Sequence, residues 1–231
     1  MSEYDYYILD IEGTVCPISF VKDELFPYFV KELPTIISKL DQQDGKIQEI
    51  VSQFPAQETR EQLTEYVLAL VRQDIKDPVL KQLQGHVWRN GYHNGSIKAP
   101  VYQDAIKFIS DGKNKIFIYS SGSVQAQKLL FEYVRDPSDD HKTINLMPSI
   151  ENYFDIDTSG MKIESTSYDN IYNAINIDTD KQRVLFLSDN PLEIDAATEA
   201  GISTRLVVKP GNVPVPDAET RYKVLYNFNN L

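Results

Sequence analysis

The 231-residue sequence has one cysteine, Cys16, which excludes an intrachain disulfide and fits a reducing compartment. No apolar run approaches the ~20 residues that a membrane-spanning helix needs, so no membrane partner is expected. Basic residues are the scarce sign: 23 Lys and Arg stand against 34 Asp and Glu, for a formal net charge of −11. No run of Lys and Arg builds the basic face of a general nucleic-acid binder. No biased tract suggests disorder, and the first 20 residues lack the basic stretch and apolar run of a secretory leader. A cytosolic protein is expected, with the nucleus open to a chain this small. An acidic chain that binds a phosphorylated small molecule must offer Mg²⁺, a lysine or backbone N–H groups locally.

What the chain does have is a series of short apolar runs that end on polar or small residues. They are YYILD (6–10), KIFIYSS (115–121), YFDI (153–156), RVLFLSD (183–189) and TRLVVK (204–209). Short runs rich in β-branched and aromatic residues read as buried parallel strands. Helical patterns lie between most of them, at 123–134, 167–177 and 191–201, the last with Pro191 in its first turn and Gly201 as its stop. Strand–helix alternation predicts an α/β fold with a doubly wound parallel sheet.

The gap between the first two strands is too long for one crossover helix. It holds two amphipathic patterns, 58–73 and 78–92, the second introduced by Asp77 and Pro78. Residues 21–94 are therefore predicted to form a helical insertion, and 1–20 with 95–231 a discontinuous core. The stretch PGNVPVPD (210–217) reads as a surface loop.

Ligands of parallel sheets sit beyond the carboxyl ends of the strands. Asp10 and Glu12 follow the first strand, Ser120 and Ser121 the second, and Asp189 the fourth, with Lys162 in the loop after the third. A lone strand-end Asp is more often a helix cap than a nucleophile. Four such positions in one sheet carry more weight. In ILDIEGT, one spacer puts the carboxyls of Asp10 and Glu12 on the same side of a turning chain. Gly13 permits the bend, and Thr14 adds a hydroxyl close to where a phosphate would lie. Such a pair can divide labour, one carboxylate attacking phosphorus while the other moves protons.

These residues resemble the first motif of the haloacid dehalogenase-like phosphatases, with Glu12 where that superfamily usually has Asp. The resemblance implies Asp10 as nucleophile and Mg²⁺ ligand, and Ser120 with Ser121 as phosphate-binding residues. It implies Lys162 as the group that neutralises phosphate and orients Asp10, and Asp189 as an acidic metal ligand. Glu193, four residues on, fits a supporting carboxylate better than Asp195 at six. Glu12 is expected in proton transfer and at the metal, through its side chain or its backbone carbonyl. The segments DIEGTVCPISFV (10–21), YSSGSVQAQKLLF (119–131), FLSDNP (186–191) and KPGN (209–212) narrow the resemblance to the enolase-phosphatase, or acireductone synthase, family of methionine salvage. That family implies a helical cap, Mg²⁺ dependence and a small phosphorylated diketone as substrate; a monomer is expected. The alternatives are a dehalogenase or another small-molecule phosphatase on this scaffold, or an inactive interaction scaffold. Glu12 counts against the dehalogenase, and the presence of every expected group counts against the inactive scaffold.

The remaining reactive side chains read as structural. Cys16 is a small packing residue. His86, His93 and His141 share no metal-ligand spacing, Trp88 belongs to the core of the insertion, and SDD (138–140) reads as a solvated loop. The 14 tyrosines are scattered as filling.

Overall fold

The computed structural model describes residues 3–75, 77–176 and 180–231. The chain forms two compact units, residues 1–20 with 98–231, and residues 21–97. The second boundary falls three residues beyond the expected 94. The reason is local: Ile97 N–H donates to Gly91 O at 3.0 Å, and the Ile97 side chain lies against Gly91, where a Cβ would come within 2.6 Å of it. Residues 95–97 are thus tied back to the helix they follow.

Among the described residues, the first unit has eight strands. They are β1 (Tyr6–Leu9), β2 (Lys115–Tyr119), β3 (Val134–Asp136), β4 (Asp139–Ile144), β5 (Ile150–Phe154), β6 (Val184–Ser188), β7 (Ser203–Val207) and β8 (Val224–Leu225). Six form one parallel sheet in the order β5-β2-β1-β6-β7-β8. β1 is central because three of its four residues are buried, and a strand covered on both faces must be apolar throughout. In register, Leu9 pairs Ile118 on one side and Leu187 on the other, so the chain leaves β1, β2 and β6 at the same edge. Ile8, Tyr119, Phe154, Tyr168, Phe186 and Leu206 form the centre of the packed interior.

Two expectations are corrected here. The third strand is Ile150–Phe154 rather than 153–156, because Asp155 caps a short helix by accepting Thr158 N–H at 2.9 Å. Residues 138–140 belong to the turn and first residues of the β3–β4 hairpin, where Asp136 holds Ser138 through its backbone N–H and its hydroxyl. Hydrophobic pattern did not reveal this hairpin because β4 is almost wholly solvent-facing.

The helices run from α1 (Phe26–Ser38), α2 (Gly45–Val51), α3 (Arg60–Arg72) and α4 (Pro78–His93) in the second unit to α5 (Gln103–Ser110), α6 (Val124–Glu132), α7 (Ile156–Ser159), α8 (Ser165–Ile175), α9 (Pro191–Glu199) and α10 (Ala218–Arg221) in the first. Ile177, at the end of the pattern predicted for α8, lies outside the described residues. α3 begins in a reciprocal capping box between Thr59 and Gln62, and α4 in the Asp77 cap with Pro78 in its first turn. α1 and α2 join them around Phe29, Leu33, Ile37, Ile47, Val67, Leu83 and Val87. Trp88 is part of this interior, with Nε1 donating to Leu25 O at 2.8 Å. His86 Nε2 lies 2.9 Å from Asp44, the cap of α2, which makes it a structural residue.

Candidate active site

The first loop is wound tightly after β1. Thr14, Val15 and Cys16 all donate their N–H groups to Ile11 O, and Gly13 N–H donates to Cys16 O. Gly13 takes φ +77°, and a Cβ there would stand 2.3 Å from an Asp189 carboxylate oxygen. Only glycine permits both the backbone and this approach. The glycine in the Asp-x-Glu-Gly sequence therefore serves to bring the Asp189 carboxylate against the first loop.

The Lys162 ammonium lies between two carboxylates, 2.5 Å from Asp10 Oδ1 and 2.7 Å from Glu193 Oε2, and all three side chains are buried. Burial alone would lower the lysine pKa, but Asp10 and Glu193 outweigh it and hold Lys162 above its ordinary value. Three consecutive carbonyls fix the loop that presents it. Gly160 O accepts from Tyr119 Oη, Met161 O from Ser167 Oγ, and Lys162 O from Tyr168 Oη. Burial pushes the Tyr119 hydroxyl up to about 12 and Tyr168 higher still, so both remain donors. Two of the tyrosines read as filling thus position the site. Spacing could not reveal them, since they come from β2 and α8.

Glu193 accepts from Ser188 Oγ at 2.7 Å and Asn190 Nδ2 at 3.3 Å as well as from Lys162. Its role in the geometry is to hold the lysine. Ser120 is buried at the end of β2, where its Oγ accepts Gly122 N–H at 3.3 Å, while Ser121 is exposed. Asp155 and Gln127 support this turn: Asp155 accepts Val124 N–H, and Gln127 Nε2 donates to Gly122 O and Phe154 O. Neither was foreseen, although a glutamine on the apolar side of a helix is a sequence signal. Thr14 does not offer its hydroxyl to the cleft. Its side chain is fully buried, with no hydrogen-bond partner at Oγ1. Asp195 is engaged by Tyr222 Oη at 3.3 Å, away from this cluster.

Asp10, Glu12, Ser121, Lys162, Asp189 and Glu193 line one cleft of about 540 Å³. Burial raises Glu12, Asp189 and Glu193, with the Asp10 charge adding to each, and Asp189 is pushed up to about 7. Four carboxylates face one ammonium, and the uncompensated negative charge suits a divalent cation. The donors are all oxygen, the set that hard cations prefer. Among the described residues, no three His, Cys, Asp or Glu side chains are arranged to ligate one ion. Asp10, Glu12 and Asp189 therefore do not form a ready three-side-chain shell. Mg²⁺ ordinarily takes one or two carboxylates and fills its remaining positions with water and substrate phosphate.

No family model matches the chain. Full-length relatives do. It is 55% identical over 228 residues to the enolase-phosphatase E1 of Vanderwaltozyma polyspora, covering 99% of this chain and 98% of that protein. It is 55% identical over 229 residues to the enolase-phosphatase E1 of Saccharomyces cerevisiae, at the same coverage. The crystal structure of the UTR4 protein of Saccharomyces cerevisiae superposes with a TM-score of 0.91 at 53% identity, covering 99% of this chain and 100% of that one. The HAD-hydrolase YfnB of Bacillus subtilis, a structure bound to magnesium, shares the fold with a TM-score of 0.60 at 13% identity, covering 99% of this chain and 97% of that one. A strand-edge carboxylate bridged by lysine, on this sheet order and at this identity, leaves one conclusion: the chain belongs to the enolase-phosphatase E1 family, enzymes built on the haloacid dehalogenase-like hydrolase fold.

Proposed function

We propose that this enolase-phosphatase acts on 2,3-diketo-5-methylthiopentyl-1-phosphate, with Asp10 as nucleophile and Mg²⁺ as its metal. The observation that carries the reading is the Lys162 ammonium between Asp10 and Glu193. It keeps Asp10 oriented, and it supplies the positive charge that an incoming phosphate requires in a cluster of carboxylates. When bound, Mg²⁺ supplies Lewis-acid stabilisation of charge on oxygen. Asp10 and Asp189 would hold it, with Glu12 contributing through its side chain or carbonyl.

The chain's own groups divide the remaining work. Enolisation moves a proton from C1 of the substrate to the oxygen on C2. Glu12 is the candidate for this transfer, because burial and the Asp10 charge raise its pKa toward that of a useful general base. With the C1 proton now on the C2 oxygen, Glu12 takes up a second proton from solvent. Asp10 then attacks phosphorus as the ester P–O bond breaks, and Glu12 gives that proton to the leaving oxygen. Water next attacks the aspartyl-phosphate. Glu12 takes its proton and the bond from Asp10 to phosphorus breaks, giving phosphate and 1,2-dihydroxy-3-keto-5-methylthiopentene. Lys162, Ser120 and Ser121 bind the phosphoryl oxygens.

The test follows enol absorbance and phosphate release separately on the diketone phosphate with Mg²⁺. Wild type should show both. Glu12→Asp should lose enolisation of the diketone phosphate while keeping residual phosphate release from a generic aryl phosphate, which needs no enolisation. Enolisation at the wild-type rate in Glu12→Asp removes Glu12 from the carbon proton and leaves it in hydrolysis alone.

A further inference from the structure

One wall of the catalytic cleft bears no charge. Besides the carboxylates, the cleft is lined by Ile18, Pro191 and the run Val213, Pro214, Val215 and Pro216. Val213 is 77% exposed and Ile18 38% exposed, and among the exposed large apolar side chains of the described residues these two line the cleft. Apolar side chains beside a polar centre suit a ligand with one charged and one apolar end.

The wall is held rigidly. At its start, Lys209 is buried against Asp104 at 2.6 Å, and Asp104 also accepts Phe228 N–H at 3.0 Å. The Lys209 ammonium further lies 4.9 Å from the Tyr102 ring centre and 5.3 Å from that of Phe228. Gly211 turns the chain at φ +91°, where a Cβ would stand 4.0 Å from the Ile18 side chain. Asn212 Nδ2 then donates to Gly13 O at 2.9 Å and to Val207 O at 3.4 Å. This ties the loop to the same glycine that lies against Asp189. Beyond it, Val215 packs on the apolar interior of the sheet. Pro210, Pro214 and Pro216 restrict the backbone between these anchors. Val213 and Pro214 are thereby displayed with their conformational freedom already spent, which is the condition for a preformed binding surface. Arg221, which also lines the cleft, donates to Tyr222 Oη at 2.8 Å, so its guanidinium already has a partner.

We infer that Val213, with Pro214 and Ile18 beside it, is a specificity-determining surface that receives the apolar thioether tail of the substrate while Lys162 and Ser121 hold its phosphate end. The inference rests on the proposed substrate and adds the residues that select it. Neither the length of the loop nor its proline content made this visible in the sequence, where it read as surface.

The test compares the full diketone phosphate with 2,3-diketobutyl-1-phosphate, in which a methyl group replaces the thioether arm, on wild type, Val213→Asp and Val213→Ile. An apolar group of one or two methylenes is worth on the order of 10-fold or more in discrimination. Wild type should prefer the full substrate by about that factor in kcat/KM. Val213→Asp should erase most of the preference, chiefly through KM, and Val213→Ile should retain it. Because Val213 is exposed, Val213→Asp should keep the wild-type melting temperature. A preference that survives Val213→Asp, or an equal loss on both compounds, overturns the tail surface while leaving the phosphatase intact. No turnover of either compound by wild type overturns the proposed substrate, and the tail surface with it.

Discussion

Lys162 and Lys209, in the α/β unit, are 8% and 7% exposed and pair with carboxylates no more than 12% exposed. Lys46, Arg60 and Arg72, in the helical unit, are 41–59% exposed and pair with carboxylates that are 61–83% exposed. Among the described residues, ion pairs with both partners buried belong to the α/β unit, which also carries exposed pairs such as Lys113–Asp111 and Arg183–Asp5. The helical unit keeps its ion pairs in water, where each is worth ~0–1 kcal/mol, and draws stability from an ordinary apolar interior. The α/β unit buries charges whose desolvation is expensive and whose pairing does not by itself stabilise the fold. Burial of that kind is retained where charge has a task. Lys162 serves the reacting carboxylate, and Lys209 anchors the loop that forms the apolar wall.

The comparison breaks most visibly at Asp10. Asp10→Asn should reduce turnover to background, a loss on the order of 10⁴-fold or more, because an amide cannot serve as the nucleophile. Circular dichroism should show the fold intact, since the change is isosteric. Measurable aspartyl-phosphate in this variant would remove Asp10 from its role.

Next in size is the pair Lys162→Ala and Asp189→Asn, each expected to cost on the order of 10²-fold in kcat/KM. Excess Mg²⁺ should restore part of the activity of Asp189→Asn and none of that of Lys162→Ala. Equal rescue would show that the lysine and the carboxylate do not have separate roles.

Two interior substitutions set the units side by side. Leu83→Ala, in the fully buried core of the helical unit, should cost about 2–5 kcal/mol by cavity formation, with no dependence on pH between 5 and 8. Asp104→Asn should cost about 3 kcal/mol at pH 7, since it leaves the Lys209 ammonium buried without its counter-charge. Burial raises the Asp104 pKa, but the Lys209 hydrogen bond, the Phe228 N–H and the Lys209 charge outweigh it, so the folded value lies below the ordinary 3.8. The stabilisation by Asp104 is therefore present above pH 3.8 and is lost as pH falls through the lowered value. Thermal unfolding should show the gap between variant and wild type closing in strong acid. A gap constant with pH would mean that the loss comes from packing.

The smallest effect belongs to the exposed pairs. Arg60→Ala removes a contact to Asp41 at 2.5 Å, but both partners are solvated, so urea unfolding should register about 0.5 kcal/mol or less. A larger loss would trace to the second bond from Arg60, to Ser38 O at 2.6 Å.

Much of this was legible in the sequence. Strands buried on both faces must be apolar from end to end, so YYIL, KIFIY and VLFLS announced themselves, and a parallel sheet puts Asp10, Ser120 and Asp189 at one edge. Start signals with defined chemistry marked α4 and α9, whereas the capping box of α3 was not read from the sequence. α1 and α2 were not separated, because an insertion without strands gives no punctuation beyond its caps. The role of Gly13 as a permissive turn was readable; the Asp189 carboxylate that requires it was not.

The sequence by itself determined which residues could react, because nucleophile, cation and carboxylates are each fixed to a strand end or loop by short-range pattern. Only the tertiary structure decided how they are held. Glu193 is the partner of Lys162, Tyr119 and Tyr168 anchor its loop, and Asn212 reaches back to Gly13 across nearly the whole chain. Apart from the Tyr168 bond, which spans 6 positions, those bonds join residues from about 30 to 199 positions apart. Periodicity reports which face of a local element is buried, but it holds no information about which distant polar group will meet it there.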